Sequence, residues 1–233
     1  MERSMKRKKI GASTGPHYSG GQVCSSILGK QIIYHKQTLT QINEAPLTTE
    51  SDLQSSHKLH DALHSAQQKL NAALFAAIDR KHIPQIARLL QQGADCNAVR
   101  DGLSPIHIAV AQENPELVAF LLTHGASLDK TGPYGNTPLH EAALKSNEKK
   151  LNIIEILIIG GANVNKQNEL GQTPLHFHKS NEPETYKKLA ALLLRAGAQL
   201  HLTDIKGNAP FDTLEPSLRD ELVALALRCR FDR

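Results

Sequence analysis

Short apolar runs and polar stretches alternate along the last two-thirds of the chain. Residues 117–122 and 153–159 form runs long enough for buried helices, and each run is followed closely by Gly-Ala and then by polar residues. A lighter apolar segment begins in several places after a hydroxyl residue and Pro, as at Thr137-Pro138. The pattern predicts pairs of helices joined by turns, with the heavier apolar load on the second helix of each pair.

A longer helix is predicted before the first pair. Residues 51–79 place apolar side chains at spacings of mostly three and four, with Thr49 or Ser51 available as the N-terminal cap. We expect residues 51–69 to cover the exposed end of the structure that follows, and the rest to continue into its first unit. Residues 1–50 are rich in Ser, Thr, Gly and Gln and lack sustained periodicity, which predicts a mostly disordered leader; within it, residues 23–34 could form one short strand or helix.

Two motifs recur in step along the chain. The first begins at Gly102 (GLSPIH), Gly135 (GNTPLH), Gly171 (GQTPLH) and Gly207 (GNAPFD), so the glycines are spaced by 33, 36 and 36 residues. The second is GADCN, GASLD, GANVN and GAQLH, beginning at residues 93, 125, 161 and 197. Matched periods of this length indicate a repeat protein.

The residues of each unit explain its local structure. Ser104, Thr137 and Thr173 can cap a helix whose first turn tolerates Pro. Gly125 and Gly161 fall where a helix ends in the left-handed conformation that glycine adopts at no steric cost.

These motifs resemble those of the ankyrin-repeat family. The resemblance covers about residues 70–233 and implies an all-α solenoid of about five helix-turn-helix units with β-turn fingers, over residues 70–101, 102–134, 135–170, 171–206 and 207–233. The first and last units depart from the pattern, as end caps should. The third and fourth are three residues longer between their helices, which predicts larger loops there, and His178 stands where the family usually has Ala.

Composition narrows the function classes. The chain is 40% hydrophobic and 4% aromatic with no Trp, so its core must consist mainly of Leu, Ile, Val and Ala. Apolar runs are too short to span a membrane, and the basic amino terminus lacks the apolar stretch of a secretory signal. Cys24, Cys96 and Cys229 form neither a disulfide framework nor a metal motif, so a cytosolic or nuclear protein is expected.

The net charge of +4 is unevenly distributed. Residues 1–36 hold seven basic side chains and one acidic one, whereas the remainder holds 20 basic and 22 acidic side chains. The repeats are therefore close to neutral, which argues against nucleic acid as a partner. The cluster Lys6, Arg7, Lys8 and Lys9 is either a nuclear-import signal or a solubilising tail.

Candidate chemistry is sparse. His57, His60 and His64 share one side of the predicted helix, but no Cys or well-placed carboxylate completes a metal site. His107, His140 and His176 occupy the structural histidine position of the family, and no nucleophile or carboxylate pair recurs beside them. We therefore expect no catalytic residue, no metal and no cofactor.

The resemblance implies that a protein partner binds the finger tips and the groove lined by the first helices. By motif position, the partner-contacting residues expected here are Arg100, Asp101, Leu103, Gln112, Tyr134, Asn136, Glu141, Leu144, Lys145, Glu169, Leu170, Phe177, Asn181, Ile205 and Lys206. Tyr134 and Phe177 are the preferred anchors because aromatic side chains dominate binding hot spots. The alternative for Phe177 is that it fills the space between adjacent first helices.

The sequence thus predicts a monomeric, non-enzymatic adaptor, scaffold or inhibitor that binds one or more proteins. The alternative is an effector or regulator that is secreted or targeted to the nucleus, with the basic leader as its address. We expect a cytoplasmic location, with the nucleus as the alternative, or a host cell for a bacterial effector.

Overall fold

The computed structural model describes residues 50–177 and 182–231. The basic cluster at residues 6–9, Cys24, His178 and Asn181 lie outside the described residues, so the expectations placed on them stay predictions. The described residues are almost entirely helices and turns, apart from one isolated bridge between Arg100 and Leu103. The predicted all-α class is therefore confirmed.

Eight α-helices follow one another in the described residues. They are α1 (Glu50–Asp79), α2 (Ile83–Gln91), α3 (Pro105–Ala111), α4 (Pro115–Thr123), α5 (Pro138–Ala143), α6 (Glu148–Ile159), α7 (Pro183–Arg195) and α8 (Pro216–Phe231). Single 3₁₀ turns occupy Pro133–Gly135 and Pro174–His176. The two helices of each pair pack on each other in the first three repeats, α3 packs beside α5, and α4 packs beside α6. Helix α7 packs on both α6 and α8, which gives a solenoid of stacked units.

The long predicted helix is present as one element. Helix α1 spans 30 residues, and its last turns bury Leu74, Phe75, Ala77 and Ile78 against α2 and α3. The predicted range 51–79 thus agrees with the observed helix to one residue. The first repeat pairs the carboxyl-terminal end of α1 with α2.

Glycines end the second helices as predicted. Gly93, Gly125, Gly161 and Gly197 have φ values of 99°, 84°, 92° and 97°, all in the left-handed region. Each of these amides donates a hydrogen bond to a carbonyl in the last turn of the preceding helix, as Gly125 does to Leu122 at 3.1 Å. The glycines therefore cap the helices and turn the chain towards the next finger.

The fourth and fifth repeats depart from the expected helix pairs. The first helix of the fourth repeat is a single 3₁₀ turn, and in the fifth the segment from Ala209 to Thr213 forms turns only. In the fourth repeat, the buried Tyr186 hydroxyl donates to the Leu175 carbonyl at 2.7 Å. This bond satisfies a carbonyl that a longer helix would bond internally. In the fifth, Ala209 replaces the Thr that begins this helix elsewhere, and its amide donates to the Asp212 carboxylate at 2.8 Å.

The extra residues of the third repeat do not form the predicted loop, whereas the loop predicted in the fourth repeat falls mostly on residues 178–181, which lie outside the described residues. Helices α6 and α7 have 12 and 13 residues, whereas α2 and α4 have nine each. Residues 148–150 and 183–184 lie inside the first turns of the longer helices. Helix α6 begins early because the Asn147 side chain caps it, with its Oδ1 atom 3.0 Å from the Lys150 amide.

The core consists of thin layers of aliphatic side chains, as the composition predicts. Buried Leu, Ile, Val and Ala side chains from neighbouring repeats form one continuous cluster, to which Phe75, Tyr186 and Phe211 add the only buried Phe and Tyr rings among the described residues. Cys96 is half-buried at the edge of this cluster, and its thiol lies 3.3 Å from the His124 carbonyl oxygen. It therefore contributes to packing, at the position that Leu128, Val164 and Leu200 occupy in the other repeats.

Candidate partner-binding surface

The fingers of the fourth and fifth repeats are fixed by a side chain at their base. The Asn168 Oδ1 atom accepts hydrogen bonds from the amides of Leu170 and Gln172, at 3.0 and 2.9 Å. In the next finger the Asp204 Oδ1 atom accepts from the amides of Lys206 and Asn208, both at 2.9 Å. Each acceptor folds its own finger into a tight turn.

Main-chain hydrogen bonds also join consecutive fingers. The Glu169 amide donates to the Tyr134 carbonyl and the Ile205 amide donates to the Leu170 carbonyl, both at 3.0 Å. The close approach depends on glycine: a β-carbon on Gly171 would stand 3.1 Å from the Ile205 nitrogen. The third, fourth and fifth fingers are thereby held at a fixed spacing.

Three large apolar side chains are exposed on these joined fingers. Tyr134 is 69% exposed, Leu170 42% and Ile205 68%. We call these three side chains the fingertip ridge. Tyr134 also has a φ of 60°, a left-handed conformation that costs a bulky L-residue about 1 kcal/mol. Asp101, at the equivalent position of the second finger, has a φ of 54°, so this conformation belongs to the tight turn of the finger.

The second finger is joined differently to the third. The residue that would donate the main-chain bond at this junction is Pro133, which has no amide hydrogen. The second finger also presents Val99, which is 59% exposed and which the motif positions did not point to. Val99 was missed because the equivalent positions of the fourth and fifth fingers hold Asn168 and Asp204, whose side chains bond within the finger.

Asn136 is not available to a partner, contrary to expectation. It is only 6% exposed, because its side chain lies between two neighbours. Its Nδ2 atom donates to Glu141 at 3.1 Å, and its Oδ1 atom accepts from Asn168 at 2.9 Å. Asn136 therefore links the third repeat to the fourth finger, and the half-buried Glu141 takes part in the same network.

Arg100 is largely engaged within the protein as well. Its guanidinium makes two hydrogen bonds to the Asp79 carboxylate, at 2.8 and 2.9 Å, and lies 4.7 Å from the centre of the Phe75 ring. These bonds lower the pKa of Asp79 and raise that of Arg100. Arg100 thus fastens the second finger to the end of α1.

The other expected contact residues differ in exposure. Asp101, Lys145, Glu169 and Lys206 are exposed, whereas Leu103, Gln112 and Leu144 are half-buried. Leu103 packs against the core, and the Gln112 Nε2 atom donates to the Ile78 carbonyl at 3.1 Å. The four charged side chains are therefore accessible to a partner, whereas the three half-buried residues mainly contribute to the fold.

The Phe177 side chain packs against the neighbouring repeat and does not project into solvent. Its ring is half-buried and meets the His140 ring edge-on, with centroids 5.9 Å apart at 90°. Such a pair stabilises the contact between adjacent repeats. The position agrees with the alternative in which Phe177 fills the space between first helices, because the side chain also packs against the core.

The repeated histidines connect neighbouring repeats. The Nε2 atoms of His107, His140 and His176 lie 3.1, 3.0 and 3.2 Å from the carbonyl oxygens of Asn136, Gln172 and Asn208. A carbonyl only accepts, so Nε2 carries the proton in each ring.

Each Nδ1 atom then accepts from its own repeat. The Thr137 amide donates to His140 Nδ1 at 3.1 Å, and the Thr137 hydroxyl lies 2.7 Å from the same nitrogen. Burial lowers the pKa of His140 to about 4, and it also lowers the pKa of His107 and His176. All three rings are therefore neutral parts of the scaffold at neutral pH.

The described part of the chain contains neither a metal-binding cluster nor a membrane-spanning helix. No cluster of His, Cys, Asp or Glu in residues 50–177 and 182–231 has the geometry to hold a metal ion, and His57, His60 and His64 are simply exposed. Within the same residues, no helix combines the length and apolarity that crossing a membrane requires.

Comparison with known proteins shows that this chain is similar to ankyrin-repeat sequences. A family model of ankyrin repeats, in three copies, matches residues 73–167. The chain is 36% identical over 88 residues to an ankyrin repeat protein of fowlpox virus, which is 36% of this chain and 26% of the relative. It is 38% identical over 72 residues to mouse ankyrin repeat and SOCS box protein 16, which is 31% and 16% of the two chains.

A third relative is an NAD-dependent deacetylase of Dictyostelium discoideum. It is 33% identical over 82 residues, covering 34% of this chain and 10% of the deacetylase. The matched part of this chain thus spans between a tenth and about a quarter of the length of these three curated relatives.

Proposed function

We propose that this ankyrin-repeat chain, matched by the family model over residues 73–167, is an adaptor, scaffold or inhibitor. Its fingertip ridge and the adjoining groove bind a partner protein. The observation that carries the proposal is the exposure of Tyr134, Leu170 and Ile205 on fingers joined by main-chain hydrogen bonds. Burying such side chains is favourable by about 25 cal/mol per Å² of apolar surface. A rigid ridge also loses little conformational entropy on binding.

The surroundings of the ridge suit a protein partner. Glu169 and Lys206 are exposed next to Leu170 and Ile205, so an apolar centre is bordered by charges of both signs. A polar rim around apolar anchors is the usual anatomy of a protein interface. A single-sign surface, which nucleic acid would require, is not formed by these residues.

We propose that the protein has no enzymatic activity of its own. The candidate acid–base groups of the repeats are His107, His140 and His176, and both nitrogens of each ring are engaged in scaffold hydrogen bonds. A ring in this arrangement has no free nitrogen with which to accept a substrate proton.

A reducing compartment, cytosol or nucleus, is the proposed location. The odd number of cysteines and their unrelated spacings, which form no disulfide framework, support this proposal. The cluster Lys6-Arg7-Lys8-Lys9 is the proposed address for the nucleus. Imaging of the tagged chain with and without residues 1–12 tests the address, and an unchanged distribution would remove it.

Affinity capture with matched variants tests the binding proposal. We expect Tyr134→Ala combined with Ile205→Ala to lose the partner retained by the unaltered chain, as read by quantitative mass spectrometry. Ile159→Ala is the control, because Ile159 is 86% exposed but lies at the end of α6 rather than on a finger. Equal retention by the two variants would exclude the fingertip ridge as the binding surface.

A further inference from the structure

Helix α1 extends well beyond the repeat that it helps to build. Among the described residues, Gln67 is the first whose side chain bonds to another element, with its Nε2 atom donating to the Gly93 carbonyl at 2.9 Å. Asn71 follows one turn later and accepts from the Asp95 amide at 2.9 Å. The preceding residues 50–66 therefore project from the end of the solenoid by about 25 Å, at 1.5 Å per residue.

The projecting part of α1 carries an apolar stripe. Leu59, Leu63, Ala66 and Leu70 follow one another at spacings of four, three and four, the spacing by which one helix faces a second helix. Leu59 is 42% exposed, Ala66 is exposed, and Leu63 is half-buried. The stripe runs on through Leu70 into the core of the first repeat, so it continues an existing packed interface.

A polar stripe lies beside the apolar one. His57, His60 and His64 are exposed, and the His64 ring lies 2.7 Å from the Gln68 amide nitrogen. The projection is thus amphipathic, with one side suited to solvent and one side that gains from being covered.

The leader contains one segment with a matching pattern. Residues 23–34 (VCSSILGKQIIY) place Val23, Ile27 and Leu28, then Ile32 and Ile33, at intervals of four and five. This is the spacing of one face of a helix. The leader joins α1 at Glu50, the outer tip of the projection. The 15 residues from 35 to 49 can span about 50 Å when extended, which is twice the length of the projection.

A second copy of the chain is a weaker candidate for covering the stripe. Two Leu side chains and one Ala side chain over about two turns bury much less than the roughly 800 Å² per partner of a stable interface. A segment of the same chain needs less surface, because its effective concentration is of the order of millimolar.

We propose that residues 23–34 pack in cis on the Leu59–Leu63–Ala66 stripe of α1 and complete the amino-terminal cap of the solenoid. The apolar faces of the two segments then cover each other, and the histidine stripe stays in solvent. The segment that composition alone predicts to be mostly disordered thereby acquires a docking site on the folded part. The basic cluster at residues 6–9 is tethered close to that end of the array.

Hydrogen–deuterium exchange of the full chain tests the docking. We expect Ile27→Asp combined with Ile32→Asp to speed exchange of the amides in residues 50–66 by at least tenfold, with no change in residues 102–170. The matched control is Ile10→Asp combined with Ile42→Asp, which changes the same residue type and charge elsewhere in the leader and should leave residues 50–66 unaffected.

The reciprocal variant gives an independent reading. Leu59→Asp alters an exposed position, so the repeats should fold normally while the amides of residues 23–34 lose protection. Equal exchange of residues 50–66 in the test and control variants would overturn the proposal. So would fast exchange of these residues in the unaltered chain, or protection that rises with protein concentration together with a doubled mass in sedimentation.

Discussion

The Cδ2 atom of Leu103 lies 3.2 Å from the point at which a β-carbon on Gly132 would stand. Gly132 occupies the finger position that holds Asn168 and Asp204 in the next two repeats, and Leu103 occupies the position of Asn136 and Gln172. The large Leu103 side chain in one repeat is therefore accommodated by a glycine, Gly132, in the next. Where the first of the pair is Asn136, the second can be Asn168, and the two side chains form a hydrogen bond.

This relationship predicts a measurable coupling. We expect Gly132→Asn to destabilise the protein by about 1–3 kcal/mol through overpacking. Its φ of −95° is accessible to any residue, so the cost is steric rather than conformational. Adding Leu103→Asn should recover part of the loss. Denaturant unfolding of the two single variants and the double variant measures the coupling, and additive free energies would contradict the proposed contact.

The histidine network predicts that stability falls in mild acid. The pKa of His140 is lowered to about 4 in the folded state, from an ordinary value of 6.5. Below pH 6.5 the unfolded chain therefore binds more protons than the folded chain. The contribution of His140 is complete above pH 6.5 and is lost as the pH falls towards 4, by a total of about 3 kcal/mol. His107 and His176 shift in the same direction.

Unfolding in guanidinium chloride at pH 7.5 and pH 5 measures this effect. We expect His140→Gln to be less stable at pH 7.5 but to show a smaller difference between the two pH values. Asp79, whose pKa is lowered, keeps its contribution above its ordinary pKa of 3.8 and loses it only at lower pH, so it does not interfere in this range. An unchanged pH dependence in His140→Gln would assign the acid sensitivity to other groups.

The Tyr186 hydroxyl is expected to contribute strongly to stability. It is buried and donates to the Leu175 carbonyl at 2.7 Å, and burial raises its pKa. Tyr186→Phe leaves the carbonyl unpaired in the interior, which should cost about 1–3 kcal/mol in thermal or denaturant unfolding. Tyr134→Phe is the matched control, because that side chain is 69% exposed and loses only a solvated hydroxyl. Similar losses in both variants would contradict the structural role.

The Arg100–Asp79 pair predicts a modest, geometry-dependent effect. The pair is partly exposed, so its contribution is about 1 kcal/mol or less despite the two hydrogen bonds. Arg100→Lys should lose most of this contribution, because Lys offers neither two parallel hydrogen bonds nor a planar group over Phe75. Denaturant unfolding at low and high salt measures the contribution of the pair to the free energy of unfolding. An Arg100→Lys variant as stable as the unaltered protein would show that only the positive charge matters.

The fold was predictable from sequence because its signals are local and repeated. The Gly residues that end the second helices and the Ser/Thr-Pro starts of the first helices each act within a few residues, and repetition makes them unmistakable. The length of the first helices was not predictable. It depends on a long-range bond such as that from Tyr186 to Leu175, which no local pattern reveals.

The candidate site was predictable only in part. Motif position identifies Tyr134, Leu170 and Ile205 as finger residues, and their exposure agrees with that placement. It fails for Asn136, because equivalent positions hold Leu103 and Gln172 and their environments depend on the next finger. Side-chain pairing between repeats, rather than position within one repeat, decides which residues face solvent.

The first helices shorten along the solenoid, from seven residues in α3 to six in α5, then to one 3₁₀ turn, and finally to turns alone. In a linear array each unit contacts only its neighbours, so its stability depends on its own helices and on the two adjoining interfaces. Because the first helices become shorter towards the carboxyl terminus, we expect the fifth and fourth repeats to unfold before the second and third. A protease or unfoldase acting from the carboxyl-terminal side would then peel away these late repeats first, leaving a remnant that still holds the segment matched by the family model.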